Sequence, residues 1–351
     1  MSLPVGSFDI SKIVSSGGYF FSNVNQSGEL QSLPDGSFNF SGITSAPIMF
    51  FESFNEAGKI LSLPIGSFNI SNINSADFGF FYNFNNSGYI ESLPVGSFDI
   101  SGISYASEGF FCGFNRDGSI LHLPDGSFDT SGITIASHLV FSEFNCGGEL
   151  QDLPDNSFDI SNITSVGSSF FSSFNGESGT DQGGKIQSLP VGSFDTSSIV
   201  SAGDAFFGAF NQCGKLSSLP IGSFNLSSLE NLGDSAFIKF NCGTQDMDNQ
   251  GYDDASGLIE LPYGSFDTSG IANVGENLFR CFNGGWWNQL GSTNYYFRIR
   301  RLPQDATSHV NAVFKSSDEL EACYGSEATA PYWTKETATQ GYIGRWKMAT
   351  S

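Results

Sequence analysis

The chain has 351 residues, with 36 acidic and 14 basic side chains and a formal charge of −22. Such an acid excess disfavours nucleic acid and anionic membranes as partners, and no apolar run approaches the roughly 18 to 20 residues of a membrane span. The excess is uneven: before residue 280 there are 6 Lys and Arg against 30 Asp and Glu, and from Arg280 onward 8 against 6, giving −24 and +2.

Met1 is followed at once by Ser2-Leu3-Pro4, so the sequence opens inside a repeat with no signal peptide, basic segment or polar capping unit. This predicts either sequence upstream or a first coil that docks on another chain, since an uncapped coil leaves an open sheet edge that invites self-association. The segment Ser32-Leu33-Pro34-Asp35-Gly36-Ser37-Phe38-Asn39 then returns along the chain. Its leucines are Leu3, Leu33, Leu63, Leu93, Leu123, Leu153, Leu189, Leu219, Leu261 and Leu302, spaced by 30 five times and then by 36, 30, 42 and 41. A period of that length marks a solenoid, in which each unit buries its apolar face only by stacking on its neighbours.

Nine copies in one chain can be compared with each other. Proline follows the leucine every time from Pro4 to Pro262, which predicts that a strand ends there. The short runs before it, such as Glu29-Leu30-Gln31-Ser32-Leu33, suit parallel strands. Two residues after the proline stands Gly, replaced once by Asn156, the side chain that best tolerates positive φ after Gly. After the Ser7 column, Phe8, Phe38, Phe68, Phe98, Phe128, Phe158, Phe194, Phe224 and Phe266 form a ladder able to stack as an aromatic spine. The next column mixes Asp9, Asp99, Asp129, Asp159, Asp195 and Asp267 with Asn39, Asn69 and Asn225. An acceptor oxygen two residues before Ser or Thr predicts an Asx-turn, and a metal-ligand column would not accept three amides.

A second ladder, Asn25, Asn55, Asn85, Asn115, Asn145, Asn175, Asn211, Asn241 and Asn283, is never Asp. An amide both donates and accepts, so the column is expected to bridge successive coils, where buried carboxylates would repel each other. The Phe21, Phe51, Phe81 and Phe54, Phe84, Phe114 series flank it and widen the core.

The run Ile163-Thr164-Ser165-Val166-Gly167, then Phe170-Phe171, Phe174-Asn175, Ile186 and Leu189-Pro190 resembles the BspA-like, or Treponema-type, leucine-rich repeat. The likeness is one of spacing and covers about residues 2 to 303. The period is longer than the family's, with Gly-Ser-Phe-Asp as added length, and Phe-Asn stands where the family has Cys. The resemblance implies a leucine-rich-repeat solenoid of short parallel strands. It further implies a surface-type binding scaffold, extracellular or on a cell or virion, and no particular chemistry.

All three length changes fall between the Asn ladder and the next strand: 176–184 in copy six, 242–257 in copy eight and 284–296 in copy nine. Insertions at one phase of a solenoid emerge on one rim, often the binding edge. The copy-eight insertion gathers Asp246, Asp248, Asp253 and Asp254 with Asn and Gly, either a Ca2+ site lacking the spacing and closing Glu of an EF-hand or a solvated acidic loop. In copy nine, Trp286, Trp287, Tyr295 and Tyr296 either stack on sugar faces or anchor a protein partner, or fold back as a lid over the last coil. Arg300 and Arg301 then replace the usual Gln-Ser of the next strand, completing the ligand-binding candidates. Residues 304 to 351 leave the repeat and read as a C-terminal cap or the start of another module, with 1 to 303 as the solenoid.

The six cysteines lack metal spacing, although Cys213 with Cys242 and Cys281 with Cys323 are positioned to pair. His122, His138 and His309 occupy unrelated positions, and no Gly-x-Ser-x-Gly or phosphate loop occurs. The sequence therefore predicts a non-catalytic scaffold that uses its rim loops for adhesion, receptor or glycan binding. The alternative is a structural spacer rod within a longer surface or fibre protein.

Overall fold

The computed structural model describes residues 3–14, 17–40, 42–178 and 183–243, together with short strands at 245–246, 251–252, 273–274, 286–289 and 292–295. The architecture is the expected repeat solenoid. Two-residue strands recur once per coil: β1 (Ser45–Ala46), β2 (Ser75–Ala76), β3 (Tyr105–Ala106), β4 (Ile135–Ala136), β5 (Ser165–Val166), β6 (Ser201–Ala202) and β7 (Asn231–Leu232). All pairings among them are parallel, with Ser45 opposite Ser75 and Ser201 opposite Asn231, so one coil is the unit of register. The β3 to β7 series continues into β10 (Asn273–Val274), which pairs with β7.

These strands do not lie where the apolar runs before Leu-Pro suggested. The Ser32, Ser62, Ser92 and His122 segments join through single parallel bridges, supported by coil-to-coil bonds such as Leu61 N–H to the Gln31 carbonyl and Lys59 N–H to that of Gly28. They form no continuous strand, and the proline two residues on, with its fixed φ, ends the run.

Three stacked phenylalanine ladders fill the interior. Phe98 and Phe128 lie 5.7 Å apart and nearly parallel, Phe81 and Phe111 5.3 Å, and Phe84 and Phe114 5.3 Å. Between ladders the rings meet edge to face, as Phe98 does with Phe114 at 5.1 Å and 84°. Both arrangements suit the ring quadrupole. Every member from Phe38 to Phe224 of the first ladder is buried and holds φ at 55–56°. A bulky residue there costs about 1–2 kcal/mol, and burying a Phe side chain returns about 1.5–3 kcal/mol. The backbone is also satisfied, because Phe68 N–H donates to the Phe38 carbonyl and Phe98 N–H to that of Phe68. The turn glycines have positive φ as expected, and Asn156 takes the position at 65°.

From Ser67 to Ser223 the serine that follows the turn glycine, or Asn156, is buried and forms a ladder of its own. Ser97 Oγ donates to the Ser67 carbonyl at 2.9 Å and Ser127 Oγ to that of Ser97 at 2.7 Å. In the mixed Asp/Asn column, Asp99 Oδ1 accepts from Ser101 N–H at 3.1 Å, and Asn69 Oδ1 does the same with Ser71. These are the expected Asx-turns.

Candidate functional site: the insertion rim

The rim is built on the asparagine ladder. Side-chain amides run unbroken from Asn25 to Asn241, each Nδ2 donating to the next Oδ1 at 2.7–3.1 Å. From Asn25 to Asn211 each Oδ1 also accepts the N–H of the residue that opens the following segment, as from Ile120 to Asn115 at 3.1 Å. The same asparagines hold φ at 51–56°, a region Asn enters more readily than other side chains. Donor, acceptor and backbone thus all select Asn. Three residues later stands a glycine whose function was not read from the sequence. A Cβ on Gly118 would collide with Asn115 Oδ1 and the Asn85 carbonyl oxygen. The signal was available, because Gly recurs at that offset as Gly58, Gly88, Gly118, Gly148 and Gly214.

This closure explains where insertions are tolerated. In copy six the extra residues separate Asn175 from Ile186, yet the Ile186 N–H still reaches Asn175 Oδ1 at 3.1 Å. The insertion leaves and returns at a point the ladder has already fixed. Its ends pair with each other, Glu177 opposite Gly183, and are tied to other coils, as Ser178 Oγ donates to Asp117 Oδ1. Cys146 Sγ donates to the Glu177 carbonyl at 2.8 Å, and Cys213 Sγ to its carboxylate at 3.1 Å. Arg116 pairs with Glu143 at 2.7 Å beside them. Residues 179–182 lie outside the described residues.

The insertions of copies eight and nine form a joint structure. β8 (Gln245–Asp246) and β9 (Gly251–Tyr252) pair antiparallel, as do β11 (Trp286–Gln289) and β12 (Ser292–Tyr295). Trp287 of β11 registers with Gly251 of β9, giving one four-stranded sheet in the order β12-β11-β9-β8. Trp286 stands opposite Tyr295 and Trp287 opposite Asn294. Two loops read separately in the sequence are therefore one element, with Asp246 at the end of β8. Asp248, Asp253, Asp254, Tyr296, Arg300 and Arg301 lie outside the described residues, as do 304–351. Among the described residues no group of three His, Cys, Asp or Glu side chains is arranged to hold a metal ion.

The remaining reactive groups have structural partners. His122 Nδ1 lies 3.0 Å from Asp152, and His138 Nδ1 accepts the Ser168 N–H at 2.9 Å. Burial, reinforced by the Glu143 carboxylate, pushes the Cys112 and Cys146 thiols up to about 12, so neither is a thiolate nucleophile near neutral pH. The Cys213 N–H donates to the Cys242 carbonyl at 2.7 Å, and no disulfide joins the two residues. Cys281 and Cys323 are outside the described residues.

No family model and no curated protein matches the chain. Among solved structures it is similar to a leucine-rich repeat protein from Bacteroides ovatus, at 14% identity over 80% of each chain, with a TM-score of 0.26. A superposition that loose carries no argument, and the solenoid rests on the coil-to-coil register of the chain itself.

Proposed function

We propose that this chain is a non-catalytic binding scaffold of the leucine-rich-repeat kind, exposed on a cell or virion surface. Its partner contacts lie on the insertion rim, 176–184, 242–257 and 284–296. The observation that carries this reading is the sheet formed jointly by the insertions of two coils, with Trp286 registered against Tyr295. A spacer has no need of antiparallel strands bridging separate insertions, whereas a receptor- or glycan-binding edge gains a rigid support for aromatic contacts. Trp286, Trp287, Tyr295 and Tyr296 are the proposed contacts, with Arg300 and Arg301 for acidic groups. Asp246, Asp248, Asp253 and Asp254 are the proposed Ca2+ ligands. The non-catalytic part of the reading is supported by the use of the Asp column in Ser turns and by the two raised thiols. Tyr19 and Phe20, exposed on the first coil, support self-association at that edge.

The test is a binding screen of the full chain against glycans and cell surfaces, with and without Ca2+. Loss of a specific interaction on Trp286→Ala and Trp287→Ala, with the solenoid's circular dichroism unchanged, supports the rim reading. Binding that survives removal of 284–296 overturns it. The spacer reading draws on the copy-six insertion, whose Ser178 and Glu177 are tied down to Asp117, Cys146 and Cys213.

A further inference from the structure

The residue after each repeat proline forms a ridge along the solenoid, reading Val5, Asp35, Ile65, Val95, Asp125, Asp155, Val191 and Ile221 from coil to coil. The five apolar members are 81–89% exposed. Their turn does not require them, since Asp takes the same position three times and is exposed there too. The glycine that follows leaves open space at Gly36, Gly66, Gly126, Gly192 and Gly222, so another backbone can approach closely. Exposed β-branched side chains that contribute nothing to the fold mark a contact surface.

The order along the ridge selects the partner. Two adjacent apolar residues, Ile65 and Val95, are followed by two acids, Asp125 and Asp155, and then by two apolar residues, Val191 and Ile221. With coils stacked about 4.8 Å apart, the acid pair lies about 10 Å from each apolar pair. Two turns of an α-helix span about 11 Å. Asp152 sits beside the acid pair in sequence and faces His122 at 3.0 Å, adding carboxylate at the centre.

We propose that this ridge docks a cationic amphipathic α-helix of a partner protein. Its basic turn lies over Asp125 and Asp155, and apolar side chains two turns to either side contact Ile65 with Val95 and Val191 with Ile221. The site is distinct from the insertion rim, because the ridge belongs to the Leu-Pro-x-Gly turns and the insertions follow the asparagine ladder.

The probe is a fluorescein-labelled amphipathic peptide of leucine and lysine, about 18 residues or five helical turns long, titrated against the full chain by anisotropy. One variant carries Ile65→Asp, Val95→Asp, Val191→Asp and Ile221→Asp together, substitutions the same turn already accepts at Asp35, Asp125 and Asp155. It is expected to bind at least about tenfold more weakly, from the loss of four apolar contacts. Unspecific attraction to an acidic body predicts the opposite, because the variant adds four negative charges. Equal or tighter binding by the variant overturns the proposal. So does a peptide that gains no helicity on binding, or binding that disappears when 284–296 is removed. Asp125→Asn with Asp155→Asn is expected to weaken binding and flatten its salt dependence, and an unchanged salt dependence overturns the basic-turn contact.

Discussion

Asparagine occupies two columns of this solenoid under different rules. In the inner ladder, Asn55 through Asn241 are buried and the residue is never exchanged. In the turn column, Asn69 and Asp99 alternate freely at the surface, each accepting from a serine two residues on. The turn needs one acceptor oxygen, which amide and carboxylate both supply. The ladder needs an acceptor for the following N–H, a donor for the next coil and a backbone tolerant of positive φ. Uniformity of a column thus reports how many requirements meet at one atom group, and the interior meets more of them than the surface.

The largest break in that contrast comes from the aromatic interior. Phe98 touches rings on both neighbouring coils, Phe68 at 5.7 Å and Phe128 at 5.7 Å, so Phe98→Ala opens a cavity shared by three coils. A loss of about 3–5 kcal/mol is expected, read by urea denaturation. Transitions at separate probes that no longer coincide would show the array dividing at the gap.

Next in size is Asn115→Asp. The substitution removes the donor to Asn145 Oδ1 and the Ile120 carbonyl and sets a carboxylate oxygen against both in a fully buried site. A cost of about 3 kcal/mol at neutral pH is expected. The charged form is the penalised one, so the loss should shrink as pH falls and the carboxyl is protonated. A variant as stable as the parent across pH 4 to 8 would remove the double role assigned to the ladder.

Much of this interior was legible in the sequence because repetition exposes it. The Phe and Asn columns, the turn glycine with its Asn156 substitute and the Asx-turns are each seen many times over. The strand positions were not legible, because Ser45–Ala46 and Tyr105–Ala106 carry little apolar signal. Backbone pairing places them, whereas the apolar Leu-Pro segments are interrupted by proline. The positive φ of the Phe spine was hidden too, since a bulky side chain normally argues against it. The joint sheet was hidden for another reason. Gly251 and Trp287 belong to insertions that occur once each, and nothing in either loop announces the other.

The thiols sharpen the contrast by titration. Cys112 and Cys146 rise from an ordinary value of 9.0 to about 12, chiefly by burial and then by the Glu143 carboxylate. Between those values the unfolded chain has lost protons that the folded chain retains, so stability falls as pH climbs from about 9 toward 12. Cys112→Ala combined with Cys146→Ala should flatten that alkaline limb, measured as denaturation midpoint against pH. A limb of unchanged slope would assign the loss to other groups.

The smallest effect is expected at the surface. Asp99→Asn keeps the oxygen that receives the Ser101 N–H at 3.1 Å and hydroxyl at 2.6 Å, and the chain already uses Asn at the equivalent Asn69, where both bonds recur. A change within about 0.5 kcal/mol is expected, read by the same denaturation that reports Asn115→Asp. Chemically the two substitutions are each other's reverse, an amide and a carboxylate exchanged with one oxygen left in place. Their difference in cost therefore isolates what the second amide group and burial contribute. Equal costs would mean that the donor and the burial contribute nothing, leaving only the acceptor oxygen and the left-handed backbone, both of which Asp can supply.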